Sequence, residues 1–256
     1  MKKLITLFCL VSMAFAAQAQ RGGQFRALLF TKTMGWYHYS IHSGVDAVQG
    51  LAARHTFSVD WQENASVFNE ERLKNYDVVI FLNTTGDILN DEQQAAFEKY
   101  IQNGGGWVGV HSAADTEYDW EWYTKMLGMM FRTHPREQTA MLDIMDRSFP
   151  GMERWADRQI WTDEWYQYRQ PALTDDLNYL IKVDESTYDP SRKLRDGSTT
   201  EGMGDFHPIA WYHEYDGGRA FYTGLGHKDD IYKDQAYLDH LYGGIYWAAT
   251  GKGIKK

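Results

Sequence analysis

Apolar residues along the chain fall into short blocks separated by polar, glycine-bearing turns, and the blocks alternate between strand and amphipathic-helix patterns. Residues 25–30 form a first apolar strand that ends in the polar loop Thr31-Lys32-Thr33-Met34-Gly35. A helix follows from about Ser40, with Val45, Val48, Leu51 and Ala52 on one face at helical spacing. Residues 56–61 alternate as a second strand, whereas 77–82 (DVVIFL) run almost unbroken, the pattern of a strand covered on both faces. Residues 91–102 are amphipathic, with Phe97 and Ile101 inward, and Asn103-Gly104 closes that helix. The glycine-rich stretch 104–115 then carries an apolar strand, 107–110, directly into His111 and Ser112. This order predicts an α/β fold with a doubly wound, mainly parallel sheet. Ligands in such sheets bind at the carboxyl ends of the strands.

Beyond Asp115 the pattern changes. Residues 139–145, 159–168 and 178–183 read as further strands, and 208–212 pairs with 219–223 through the turn Asp216-Gly217-Gly218. The polar stretch 185–204 reads as a surface loop. A last helix, 235–249, turns Leu238, Leu241, Ile245 and Ala248 inward. No repeat or low-complexity linker interrupts this, so residues 20–256 are expected to form one domain.

The first 19 residues modify that picture. Lys2 and Lys3, the apolar run 4–15 and the small-x-small site Ala17-Gln18-Ala19 have the form of a secretory leader. An exported, periplasmic protein is expected, with no membrane span. Cys9, the one cysteine, lies inside the leader, so disulfides, thiolate nucleophiles and cysteine metal sites are excluded from the mature chain. Removing Lys2 and Lys3 takes the formal charge from −9 to −11, which argues against nucleic acid and anionic membranes. The 10 Trp and 17 Tyr fit either a sugar-stacking cleft or an aromatic core.

Four polar clusters stand at strand ends. In the first, Trp36-Tyr37-His38-Tyr39-Ser40, Ser40 fits a helix N-cap, while His38 has no such structural use. The second holds His111, Ser112 and Asp115; Asp115 could cap a helix and Ser112 bond to nearby backbone, but the glycine-rich approach singles out His111. In the third, Thr162-Asp163-Glu164-Trp165-Tyr166, paired acids in an aromatic segment are costly to desolvate without partners. Strand alternation turns one of them to water, leaving Glu164 as the functional acid. The fourth, Gly224-Leu225-Gly226-His227-Lys228, lets backbone approach a ligand closely, or is a surface turn with incidental charge. His134-Pro135 is a weaker fifth candidate, and His55, His213 and His240 read as ordinary surface or helix residues. Three imidazoles and a carboxylate can hold a divalent ion such as zinc or work as acid and base without one. No nucleotide cofactor is expected.

The segments TKTMGWYHYS (31–40), GGGWVGVHSAAD (104–115), TDEWY (162–166) and GRAFYTGLGH (218–227) resemble, in this order, those of the ThuA-like (trehalose utilisation) family. That resemblance implies a flavodoxin-like, class I glutamine amidotransferase-like fold. The amidotransferase elbow reads G-x-C-x-G; here it is Gly109-Val110-His111-Ser112-Ala113, with imidazole in place of the thiol. Glutamine hydrolysis through a thioester is therefore excluded, and Ser112 stands one residue off the apex. The family association with sugar metabolism and 3-keto glycosides implies an enzyme acting on glycosides or 3-keto glycosides by elimination, hydrolysis or isomerisation. Its ligand would be a sugar or keto-sugar. His38, His111 and His227 take metal-binding or proton-transfer roles in this reading, and Glu164 is ligand or base. Trp36, Tyr37, Asp115, Trp120 and Tyr166 are the expected substrate-binding residues. A non-catalytic carbohydrate-binding protein and a partner-assembly subunit are the alternatives.

Overall fold

A computed structural model describes residues 23–169, 172 and 174–253. The leader expected over 1–19 lies outside the described residues. Strand β1 (Arg26–Phe30) leads to helix α1 (Ile41–His55), β2 (Ser58–Gln62), the one-turn helix α2 (Glu70–Leu73) and β3 (Val78–Leu82). Helix α3 (Asp91–Gln102) then connects to β4 (Gly106–Val110). Asn90 starts α3 through a capping box with Gln93, which satisfies the otherwise free N–H groups of the first turn. After β4 come a 3-10 turn (His111–Asp115), α4 (Glu121–Leu127), β5 (Phe131–Thr133) and β6 (Gln138–Ile144). The chain continues through β7 (Arg158–Asp163), β8 (Gln167–Tyr168), β9 (Asn178–Asp184), β10 (Arg192–Lys193), β11 (Thr199–Thr200), β12 (His207–Tyr215) and β13 (Gly218–Thr223) to α5 (Gln235–Thr250).

Nine of these strands form one sheet in the order β2-β1-β3-β4-β13-β12-β9-β6-β7. The neighbours from β2 to β13 run parallel; from β13 outward the pairing is antiparallel. The parallel half is wound on both sides, as β3 shows with two adjacent residues. Phe81 stacks on Phe97 of α3 and Tyr123 of α4. A side-chain carbon added at Gly44 of α1 would press on Leu82 at 2.8 Å. Successive strand residues face opposite layers, so α1 covers one face and α3 with α4 the other. Strands β3 and β4 are buried throughout, the consequence of cover on both faces.

The expected strand over 159–168 is two short strands, because the chain turns at Glu164 to Tyr166 between β7 and β8. The loop over 185–204 contains the β10–β11 hairpin. Partly buried Glu185 fixes the base of that loop, accepting from His207 Nδ1 at 2.7 Å and from the Met203 and Gly204 amides. The β12–β13 hairpin forms as expected, with Asp216 and Gly217 both at positive φ, as a two-residue turn of matching twist requires. His213 is a buried strand residue, neither surface nor helix, whose Nε2 donates to the Met126 carbonyl; His240 is a helix residue as expected, turned inward beside Met152. Among the described residues, no helix is long and apolar enough to cross a membrane.

Candidate metal and acid–base centre

Each functional side chain is delivered by a strand end. His38 stands in the loop after β1, His111 directly after β4, Glu164 after β7, and His227 after β13 by way of Gly224-Leu225-Gly226. One ligand atom from each of the four lies within 4.8 Å of the others. The turn at β4 is sharp: His111 has φ 48°, a left-handed conformation rare outside glycine. Three contacts hold it there. Its Nδ1 lies 2.8 Å from the Gly224 carbonyl, Tyr222 Oη donates to its own carbonyl at 2.8 Å, and the Tyr166 ring packs 4.2 Å away.

The partners fix the tautomers. A carbonyl only accepts, so His111 Nδ1 carries the hydrogen and Nε2 faces the centre with a lone pair. His227 Nε2 lies 3.3 Å from Glu137 Oε1, which likewise assigns its hydrogen to Nε2 and leaves Nδ1 bare. Nδ1 of His227 is 3.2 Å from Nε2 of His111, and Glu164 Oε2 is 3.4 Å from both. Three acceptor lone pairs therefore confront one another in a buried site, an arrangement that calls for a proton or a cation between them. Ligand atoms about 2.1 Å from a tetrahedral ion lie roughly 3.4 Å apart, so the separations fit a zinc-like ion.

The electrostatics agree. Burial, reinforced by the neighbouring rings of His111 and His227, lowers His38 to about 2, so it is neutral and able to donate a lone pair. Burial also lowers His227, with His111 adding to the effect. Burial opposes ionisation of Glu164, but hydrogen bonds from His111, through a proton held at its Nε2, and from His134 outweigh it and hold the carboxyl well below its usual range. His38 Nδ1 is 3.2 Å from Ser112 Oγ; Ser112 is fully buried and supports the imidazole.

Several neighbours were not legible from pattern. His134, the weaker candidate, places Nδ1 2.8 Å from Glu164 Oε1 and orients the carboxylate. Glu137, in a polar segment without periodicity, spans His227 and Lys228. Neither acid of the Asp163-Glu164 pair faces water, which corrects the alternation argument. Asp163 is fully buried and accepts from the amides of Gly226 and Glu164, both at 2.9 Å. The chain bends after β7, so the strand register ends before Glu164. Ser40 does not cap α1 with its side chain; its Oγ donates to the Gly226 carbonyl and accepts from Asn83 Nδ2.

The expected substrate-binding residues divide. Trp36, 68 % exposed, lines a cleft of about 320 Å³ together with His38, Tyr39, Glu137 and His227. Tyr37 is exposed beside it, its hydroxyl 3.0 Å from His42 Nε2. Tyr166 is buried between His111 and Phe131 and buttresses the imidazole from behind. Asp115 is partly buried one turn beyond His111, accepts from Tyr118 Oη at 2.6 Å, and is raised by burial. Trp120 belongs to the core: it stacks on Trp122 and Tyr123 and donates to Glu98, away from the histidines. A larger groove of about 730 Å³ lies at the opposite ends of β3 and β4, beside the exposed Glu70–Lys99 pair, and gathers no such chemistry.

Fold and centre together define an α/β protein of the flavodoxin-like, amidotransferase-like kind whose strand-end elbow presents an imidazole. The family described as ThuA, trehalose utilisation, matches residues 26–248, and the chain belongs to it. A ThuA-like protein from Bacteroides uniformis is similar at 25% identity and a TM-score of 0.74, over 91% of this chain and 94% of that one. A second, from Parabacteroides merdae, is 22% identical with a TM-score of 0.69, over 91% and 92%. PurLQS from Thermotoga maritima shares the fold alone, with a TM-score of 0.50 at 9% identity, over 88% and 99%. Among curated protein sequences there is no match. Membership of the trehalose-utilisation family points to a carbohydrate-related function.

Proposed function

We propose that the protein is an exported enzyme that acts on 3-keto glycosides, with His38, His111, Glu164 and His227 as its reacting centre. The observation that carries this reading is the convergence of bare nitrogen and carboxylate lone pairs, each oriented by a partner behind it. A sugar-binding protein needs hydroxyl partners; it does not need acceptors that repel one another until positive charge arrives. The ketone at C3 acidifies the C2 hydrogen, so a positioned base can remove it. The electron pair becomes an enolate, which expels the C1 substituent as the C1–O bond breaks; the leaving oxygen takes a proton. Adding water to the resulting enone completes a net hydrolysis.

The residues divide the work by geometry. Glu164 brings negative charge beside the rings, its carboxyl held below the usual carboxylate range, and its second oxygen is held by His134. Burial keeps His38 neutral and makes it a weak base, which suits it to hold a metal rather than a proton. Tyr166 and the buried strand ends exclude water behind His111. A divalent ion held by His38, His111, His227 and Glu164 would supply positive charge where the enolate oxygen develops. The leader expected over residues 1–19 makes the periplasm the compartment of this activity.

The test is to measure the metal content of the purified protein and then follow aglycone release from a 3-keto glucoside. Release that is abolished in His111→Ala, with the variant still folded, supports the reading. Full activity in that variant removes His111 from the chemistry. Activity that survives chelation supports metal-free acid–base work by the same groups.

A further inference from the structure

We propose that the exposed rings of the β1–α1 loop, continued by Trp61 of β2, form a stacking platform for a neutral oligosaccharide whose outer sugar units extend from the His–Glu cleft. This rests on the carbohydrate reading above and adds the size and charge class of the ligand. Trp36 is 68 % exposed, Tyr39 81 %, Tyr37 42 % and Trp61 38 %. Rings of this size are ordinarily drawn into cores or interfaces, and a group of them left in water marks a recognition surface.

Their exposure is not slackness of the loop. Thr85 fastens it three times: its carbonyl accepts from the Met34 amide at 2.7 Å, and its hydroxyl accepts from Gly35 and donates to the Trp36 carbonyl. The rings are therefore held out by a fixed backbone, which lowers the ordering cost of binding. They also form a connected ridge. Tyr39 meets Tyr37 edge-on at 6.1 Å, Tyr37 Oη contacts His42, and His42 meets Trp61 edge-on at 6.4 Å. Trp61 is pinned in turn by its indole N–H to Thr31 Oγ1 at 2.9 Å. The ridge thus runs from the centre toward β2, the outer strand of the sheet.

Two features choose the occupant. Trp36 and Tyr39 line the same cleft as His38 and His227, so whatever stacks there is continuous with what reaches the centre. Glu137, Asp229 and Asp230 line that cleft against a single cation, Lys228. Carboxylates accept sugar hydroxyls while rings take the C–H faces of pyranoses, and the surplus of acid repels an anionic glycan.

The full-length mature protein is titrated with cellopentaose, maltopentaose, glucose and pentagalacturonate, followed by tryptophan fluorescence and calorimetry. At least one neutral pentasaccharide should bind about tenfold or more tightly than glucose, with pentagalacturonate excluded. The double variant Trp36→Ala/Tyr39→Ala should reduce that advantage to about threefold or less, with an unchanged thermal midpoint because both rings are exposed. An advantage that persists in the double variant overturns the platform, as does a preference for pentagalacturonate or the absence of any advantage. Loss of a dimer in the variant would overturn it too, by assigning the rings to a contact between copies. Aglycone release from a 3-keto glucoside without a pentasaccharide advantage overturns the platform and leaves the enzymatic reading. Ring-dependent pentasaccharide binding without release does the reverse.

Discussion

Asp163 gives the sharpest test of how the centre is held. Its two oxygens accept from the backbone amides of Glu164, the next residue, and Gly226, 63 residues further along, and so tie the β7 end to the turn that presents His227. In Asp163→Ala both amides are left without a partner in a fully buried place, at about 1–3 kcal/mol each. The expected loss of about 2–6 kcal/mol corresponds to a fall of roughly 5–20 °C in the midpoint for a chain of this size. Asp163→Asn keeps one acceptor and should lose about half as much. Because both released segments carry candidate ligands, zinc affinity measured by calorimetry should fall about 10–100-fold in the Ala variant, as for other groups that orient ligands. Burial raises Asp163 to about 7, against the two amides that favour its ionised form. A folded value above the unfolded one means its contribution is present below about 4 and lost as pH rises through about 7. The midpoint of Asp163→Asn should therefore gain on wild type over that window. An Ala variant melting within about 2 °C of wild type, with unchanged zinc affinity, would refute the tie.

Three further outcomes follow from other parts of the structure. His38 is held neutral when folded, near 2, but takes a proton near 6.5 when unfolded, so stability falls as pH drops below about 6.5. His38→Gln should gain on wild type in urea midpoint between pH 7 and 4; a constant difference would rule out the assigned burial. A side chain added at Gly243 of α5 would overlap the Pro150 carbonyl, so Gly243→Ala should cost about 1–3 kcal/mol, read as a drop of roughly 3–12 °C in the melting curve. Thr85→Val removes the hydroxyl that joins Gly35 to Trp36, and hydrogen exchange of the amides at 35–37 should accelerate while the global midpoint moves little.

How much of this was readable follows from where each signal lives. Strands β3 and β4 announce themselves because cover on both faces demands unbroken apolar runs, and α3 carries its own start in Asn90 and Gln93. His38, His111 and His227 stand out because each interrupts the chain at a strand end, two of them beside glycines. Asp163 was misread because its use is set by Gly226, a partner that no local period can reveal. Trp120, open to either a sugar wall or the core, falls to the core for the converse reason: a ring near His111 in sequence is drawn into a stack with Trp122 and Tyr123. The antiparallel half of the sheet, in which β9 pairs with β6 on one side and β12 on the other, depends on the same kind of distant pairing.

The elbow at His111 shows why these long-range ties and the chemistry belong together. A left-handed residue with a side chain costs about 1–3 kcal/mol, and it persists only where its surroundings determine it from several sides. Here those surroundings are the Gly224 carbonyl, Tyr222 and Tyr166, which come from β13, the turn after it and the β7–β8 connection. Gly224 and Tyr222 belong to the segment that carries His227, and Tyr166 follows Glu164 by two residues. Fixing the strained ring thus also fixes the two groups that oppose its lone pair. With thiol at this position the elbow would offer a nucleophile; with imidazole, turned so that its only N–H is already spent on a carbonyl, it offers an acceptor. Three such acceptors at 3.2–3.4 Å are stable together only around positive charge, whether a migrating proton or a bound cation.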